Sequence, residues 1–322
     1  MRTVLQLRAI IKRMRGAPRL FILYGVVSLL ITAPMALAGN RTVVDDLGFK
    51  VSVKRDIRRV VSLVPTNSEM VCLLDCARLK GGTRYDEFPA ELKKRVQSKQ
   101  IEIIGGGFDA NLEKIVQLQP DLVLTNGPTQ QRFAVPLKNM SYSVVSLWPR
   151  DMDGLVKDFL LLGELLGQEH KAQSVVHDIR ERFQAIATKE KNLPKKRAYL
   201  QMWTDPLITV GKASFTDWLV SAAGGVNVFG DMPFDSGQIG VESLIQRNPE
   251  VLIFLAEQAP FVKTLIRRPG WSSIRGVRAG HFCFIDEPDI RRSIMFIDGL
   301  AKLHSCLFRP VASTQQLLTE PN

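Results

Sequence analysis

The sequence predicts an α/β protein built as two α/β lobes with parallel-type sheets joined by one long bridging helix. Three observations carry this. Short, near-continuous apolar runs alternate with helical patterns, as parallel sheets covered by helices require. Residues 152–190 keep apolar side chains at helical spacing over an unusual length. Residues 113–124 match residues 242–253 at a constant offset of 129, with Glu, Gln and Pro shared at Glu113/Glu242, Gln117/Gln246 and Pro120/Pro249.

Taken in order, residues 1–38 read as a secretory signal. Six basic residues and no acid lead into an uncharged apolar run from Leu20 to Leu37, which ends in Ala36-Leu37-Ala38, a small-x-small pattern that places cleavage after Ala38. A run of 18 uncharged residues is at the lower limit for spanning a bilayer, so a retained anchor is the alternative. No cysteine sits immediately after the cut, which argues against a lipid anchor. The net charge of +11 therefore shrinks to +5 over the remaining 284 residues, too mild for a dedicated nucleic-acid binder. The mature chain is expected to be soluble and exported.

An N-terminal lobe is expected over residues 39–151. It opens with a hairpin over residues 41–53, turning at Leu47-Gly48. An apolar strand at 60–64 leads into a helix from about Ser68 to Ala77. Strands at 79–81, 101–104, 121–125 and 143–147 follow, with a helix at 112–119. Residues 152–190 then form the bridging helix, interrupted by no proline and weakened in its interior at Gly163 and Gly167. If continuous, it spans about 50 Å at 1.5 Å per residue. The C-terminal lobe, residues 191–310, restarts the alternation: strand 198–203, helix 215–222, strands 251–255 and 282–285, helix 294–307. Residues 311–322 read as a loose tail.

The four cysteines form an even count in an oxidising compartment. Cys72 and Cys76 sit four apart on an expected helix, where side chains stack without crossing, so their disulfide geometry is poor. Cys283 and Cys306 allow a bridge; buried free thiols are the other reading for all four. With no CxxC pair and four scattered histidines (His170, His177, His281, His304), no metal site is expected.

Four stretches in this order and spacing resemble one family. They are Arg59-Val60-Val61-Ser62-Leu63-Val64-Pro65-Thr66-Asn67-Ser68-Glu69; Gly107-Phe108-Asp109-Ala110-Asn111-Leu112-Glu113 with Pro120-Asp121-Leu122-Val123-Leu124; Ala223-Gly224-Gly225-Val226-Asn227-Val228-Phe229; and Val241-Glu242-Ser243-Leu244 with Asn248-Pro249. The chain resembles the helical-backbone (class III) periplasmic substrate-binding proteins of ABC importers, the group of the vitamin B12 and ferric-siderophore receptors. The resemblance covers about residues 42–310. It implies a ligand held between the lobes, little closure on binding, a permease partner in the inner membrane and no cofactor. The implied cargo is a small chelate: a corrinoid first, a ferric siderophore or haem second. A monomer is expected.

The resemblance also implies one exposed Glu per lobe that pairs with permease arginines. Glu69 and Glu242, each opening a helix, are assigned to this role, with Glu113 less favoured because Glu69 already serves its lobe. Thr66 to Glu69 also reads as a capping box, and Glu242 as an acid favoured at a helix start. Residues in loops after strands are assigned to the pocket: Asn67, Arg84, Tyr85, Phe108, Trp148, Trp203, Asp205, Arg291 and Arg292. Aromatic faces suit a macrocycle or catecholate, and the arginines suit an anionic chelate. The competing class is an exported metal-dependent α/β hydrolase. The sequence has no GxSxG elbow, no HExxH and no phosphate-cradling GxxxxGK, so no catalytic residue is assigned.

Overall fold

The computed structural model describes residues 39–190 and 193–309. The expected signal segment and the expected tail lie outside the described residues. A β1 (Asn40–Val44) and β2 (Lys50–Lys54) hairpin turns at Gly48, whose φ of +83° suits glycine.

The first lobe has a five-stranded sheet of order β5-β4-β3-β6-β7, parallel throughout. Its strands are β3 (Val60–Ser62), β4 (Leu79–Gly82), β5 (Glu102–Ile103), β6 (Leu122–Thr125) and β7 (Val144–Ser146). Helices α1 (Pro65–Asp75), α2 (Ala90–Gln97), α3 (Leu112–Gln117) and α4 (Gln131–Asn139) belong to it. Strand β6 is buried on both faces. Leu122 and Leu124 enter the core shared with the bridging helices, while Val123 packs with Ile115 and Leu137 on the other side.

The second lobe's sheet runs β11-β9-β8-β12-β13, with β10 also on β8. Here β8 (Lys196–Thr204), β10 (Gly225–Asn227), β12 (Val251–Leu255) and β13 (Phe282–Ile285) are parallel, whereas β9 (Leu207–Val210) pairs antiparallel with both β8 and β11 (Ser236–Gln238). This sheet is therefore mixed rather than parallel, because β8 returns through the tight Asp205-Pro206 turn instead of a helical crossover. Helices α7 (Phe215–Ala222), α8 (Val241–Arg247), α9 (Ala259–Ile266), α10 (Arg275–Ala279) and α11 (Phe296–Phe308) cover it.

The internal repeat is a repeated joint. Helix α3 leads through Pro120 to β6, and α8 leads through Pro249 to β12. Gln119 and Asn248, each just before the proline, adopt the same left-handed backbone (φ 44° and 46°). The side chain of Asp121 accepts from the Arg59 N–H at 3.0 Å, and that of Glu250 from the Arg197 N–H at 3.1 Å. Each arginine's guanidinium caps the preceding helix, on the Leu118 carbonyl in one lobe and the Arg247 carbonyl in the other.

The unbroken bridging helix is corrected. Residues 152–190 form two helices, α5 (Met152–Leu165) and α6 (Glu169–Glu190). Gly167 takes φ +63°, its N–H bonds the Glu164 carbonyl (3.2 Å), and the Gln168 N–H bonds the Gly163 carbonyl (2.7 Å). This is a Schellman C-cap, for which a glycine at that position is the usual means. Gly163 lets the helices pack closely, since a Cβ there would sit 2.5 Å from that of Ala172. Helix α6, about 33 Å long at 1.5 Å per residue, makes the bridge alone. Lys171 Nζ reaches the Leu74 carbonyl of α1 (3.1 Å), and Arg182 pairs with Asp298 of α11. Its apolar stripe of Ala172, Val176 and Ile179 enters one core continuous across both lobes.

Both cysteine pairs are bridged, Cys72–Cys76 and Cys283–Cys306. The first overturns the reading from helical spacing. Helix α1 stops at Asp75, whose backbone leaves the helical region (φ −155°, ψ 89°), so Cys76 turns back toward Cys72 instead of keeping the helical spacing.

Candidate functional site

The cleft lies beyond the carboxyl ends of the parallel strands of both lobes, where α/β sheets hold ligands. It has a volume of about 340 Å³. The first lobe contributes Pro65 and Thr66 after β3, Tyr85 after β4, Phe108 after β5 and Asn126 after β6. The second contributes Met202 from β8, Asp235 before β11, and Glu287, Arg291 and Arg292 after β13.

The first-lobe rim is braced by polar contacts. Thr83 Oγ1 donates to Asp86 Oδ1 (2.6 Å), and the Tyr85 N–H donates back to Thr83 Oγ1 (3.2 Å). Arg84 forms a two-pronged pair with Asp109 (2.7 and 3.2 Å), whose carboxylate also accepts from the Gly106 N–H. Buried Gln130 donates to the carbonyls of Leu63 and Gly107 and accepts from the Asn126 N–H. These contacts fix three separate loops, so Tyr85 (55% exposed) and Phe108 (75% exposed) stand out from a rigid floor.

The second lobe reaches across through three consecutive residues. Arg291 ion-pairs with Glu287 and lies 3.7 Å from Glu69. Arg292 pairs with Asp235 and lays its guanidinium 3.8 Å over the Trp148 ring. Ser293 donates its hydroxyl to Glu69. Burial pushes the Glu69 carboxyl up to about 7; the Ser293 hydrogen bond and Arg291 oppose this, while Asp86 and Glu287 add to it. Burial also raises Asp86 and lowers Arg292.

The assigned residues thus separate into groups. Tyr85, Phe108, Arg291 and Arg292 meet at the cleft. Asn67 does not: it is buried at 3% exposure, because it falls inside the first turn of α1 and donates to the Thr125 carbonyl. Trp148 is held between Gly127 and Arg292 and is 8% exposed, so its faces are already covered. Arg84 is spent on Asp109 at the rim. Trp203 and Asp205 open into a separate groove, since Met202 takes the cleft-facing side of β8 and the next side chain points the other way. Gln130, Met202, Asp235, Glu287 and Ser293 were not assigned from sequence, and no spacing or motif marks them.

The docking assignment of Glu69 is corrected as well. Its carboxylate is 4% exposed and faces the other lobe, so it cannot meet an outside partner. The capping box is absent too, because α1 starts at Pro65, with Val64 as N-cap. Glu242 is exposed on α8, and Glu113, its repeat counterpart on α3, is exposed in the first lobe.

A family model described as periplasmic binding protein matches residues 60–288, well over half of the chain. The chain is 25% identical over 280 residues to an uncharacterized ABC transporter substrate-binding lipoprotein of Bacillus subtilis (strain 168), covering 83% of this chain and 85% of that one. It is 27% identical over 206 residues to the vitamin B12-binding protein of Salmonella typhi, covering 64% and 75%. The crystal structure of the periplasmic vitamin B12 binding protein of Vibrio cholerae shares the fold, with a TM-score of 0.69 at 18% identity over 82% of this chain and 99% of that one. The paired lobes, the interlobe cleft and this match together place the chain in the periplasmic binding protein family.

Proposed function

We propose that the protein is the periplasmic solute receptor of an ABC importer and that it carries a corrinoid in the interlobe cleft. The observation that carries the choice of cargo is the charge of the cleft. Across the cleft and the cavity contiguous with it, the lining includes Glu87, Asp235, Glu257, Asp286 and Glu287 against Arg291 and Arg292. Both guanidiniums are already matched to carboxylates. An anionic ferric chelate would meet excess negative charge with its cations engaged, whereas a neutral or cationic macrocycle would not. Tyr85 and Phe108 offer exposed ring surface to such a macrocycle. The relatives named for vitamin B12 binding support the same cargo.

Delivery requires a docking face. Glu113 and Glu242 occupy equivalent, exposed positions on the repeated helices, and an acid on each lobe sets a defined register on a basic partner. The chemistry is capture and release, with no bond made or broken.

Isothermal titration of the purified protein with cyanocobalamin, haem and a set of ferric siderophores tests the cargo. Heat with cyanocobalamin and none with the anionic chelates is the expected result. Preference for an anionic ferric chelate would refute the corrinoid assignment, and no heat with any of them would refute the receptor reading.

A further inference from the structure

Beside the cleft, the second lobe carries a groove of about 510 Å³ that the ligand site does not explain. It lies at the carboxyl end of β8, between the β8–β9 turn and α9. Two large aromatic side chains stand exposed in it, Trp203 (56%) and Phe261 (62%). Burying apolar rings is favourable, so two of them left facing solvent in one concavity indicate a surface kept for contact.

The groove is preorganised. Trp203 Nε1 donates to the Asp205 carbonyl at 3.0 Å, which fixes the indole. Buried Gln258 donates to the Met202 carbonyl at 3.1 Å and ties the loop after β12 to β8. The groove adjoins the cleft through an intervening cavity. It shares Glu257 with a cavity that in turn shares Tyr85, Glu287 and Arg291 with the cleft. Met202 and Trp203, adjacent on one strand, thus present one side chain to each compartment.

We propose that this groove is an accessory subsite that takes a planar aromatic arm of the cargo whose body sits in the cleft. The inference rests on the corrinoid reading above. It predicts selection for cargo carrying a flat, uncharged heteroaromatic appendage, received by Trp203 and Phe261.

The test compares cyanocobalamin with dicyanocobinamide, which has the same ring system without the nucleotide arm. Titration of the wild-type full chain is expected to favour cyanocobalamin by about tenfold, the contribution of one stacked ring. In Trp203→Ala and in Phe261→Ala the two affinities should converge. The ratio is its own control, since a general loss of structure would weaken both probes alike. Wild-type binding of both probes with a ratio unchanged in the variants would refute this proposal alone. Binding of neither probe would refute the corrinoid reading and the subsite with it. Impaired uptake with an unchanged ratio would assign the groove to a permease contact and overturn the subsite.

Discussion

The carboxylate of Glu69, in the first lobe, accepts a hydrogen bond from the hydroxyl of Ser293, in the second, at a point almost closed to solvent. With Arg291 3.7 Å away, this contact ties the lobes at the base of the cleft. It makes the stability of the folded chain sensitive to one proton. Burial raises the Glu69 carboxyl to about 7 from its ordinary 4.5, so the folded chain holds the proton more tightly than the unfolded one. Its contribution is full below about pH 4.5 and declines as pH rises through 7. Glu69→Gln should therefore remove up to about 3 kcal/mol of the fall in unfolding free energy between pH 5 and pH 8. Urea unfolding at the two pH values measures it; an unchanged pH dependence would contradict the assignment.

A second buried acid acts in the same direction. Asp158 on α5 is fully buried beside Asp46, with Lys157 Nζ 3.5 Å from it. Burial pushes its pKa up to about 8, and the Asp46 carboxylate adds to the rise. Asp158 therefore costs stability as pH climbs through this range. Asp158→Asn should stabilise the protein by an amount that grows by roughly 2–4 kcal/mol between pH 5 and pH 9. Chemical denaturation at both pH values checks the sign.

The two aromatic environments at the cleft should separate affinity from stability. Phe108 is exposed, so Phe108→Ala should weaken ligand binding while shifting stability by less than about 0.5 kcal/mol. Trp148 is enclosed between Gly127 and Arg292. Trp148→Ala should cost about 3–5 kcal/mol of stability. Calorimetric titration paired with urea unfolding reads both; equal stability losses would show that Phe108 packs rather than projects.

Docking on the repeated glutamates predicts a split between binding and transport. The Glu113→Ala, Glu242→Ala double variant should retain cargo affinity and lose uptake in cells that depend on this receptor. Lost affinity in the purified double variant would rule out a role confined to docking.

The break between α5 and α6 predicts different costs at its two glycines. At Gly167 there is open space around a hypothetical Cβ, so Gly167→Ala pays only for φ +63°, about 1 kcal/mol. At Gly163 the new Cβ meets Ala172 and must push the helices apart, costing about 1–3 kcal/mol or more. Thermal unfolding of both variants should rank Gly163→Ala as the less stable.

The sequence by itself determined the two-lobe α/β plan, but not the break between α5 and α6 or the antiparallel pairs of the second sheet. Short apolar runs such as Val251–Leu255 fit strands covered on both faces by their length and β-branched content, and the match at an offset of 129 places equivalent joints in two lobes. Tyr85 and Phe108 were legible because each follows a strand end. Tertiary structure decided the rest. Glu69 and Glu113 are both acids near helix starts, and only packing against Ser293 buries one while the other stays in solvent. Trp148 and Trp203 both lie at strand ends, yet one is covered by an arginine from the other lobe and the other lines a neighbouring groove instead of the cleft itself. Local pattern records which face of an element is apolar; which distant residue arrives to cover that face depends on how the lobes meet.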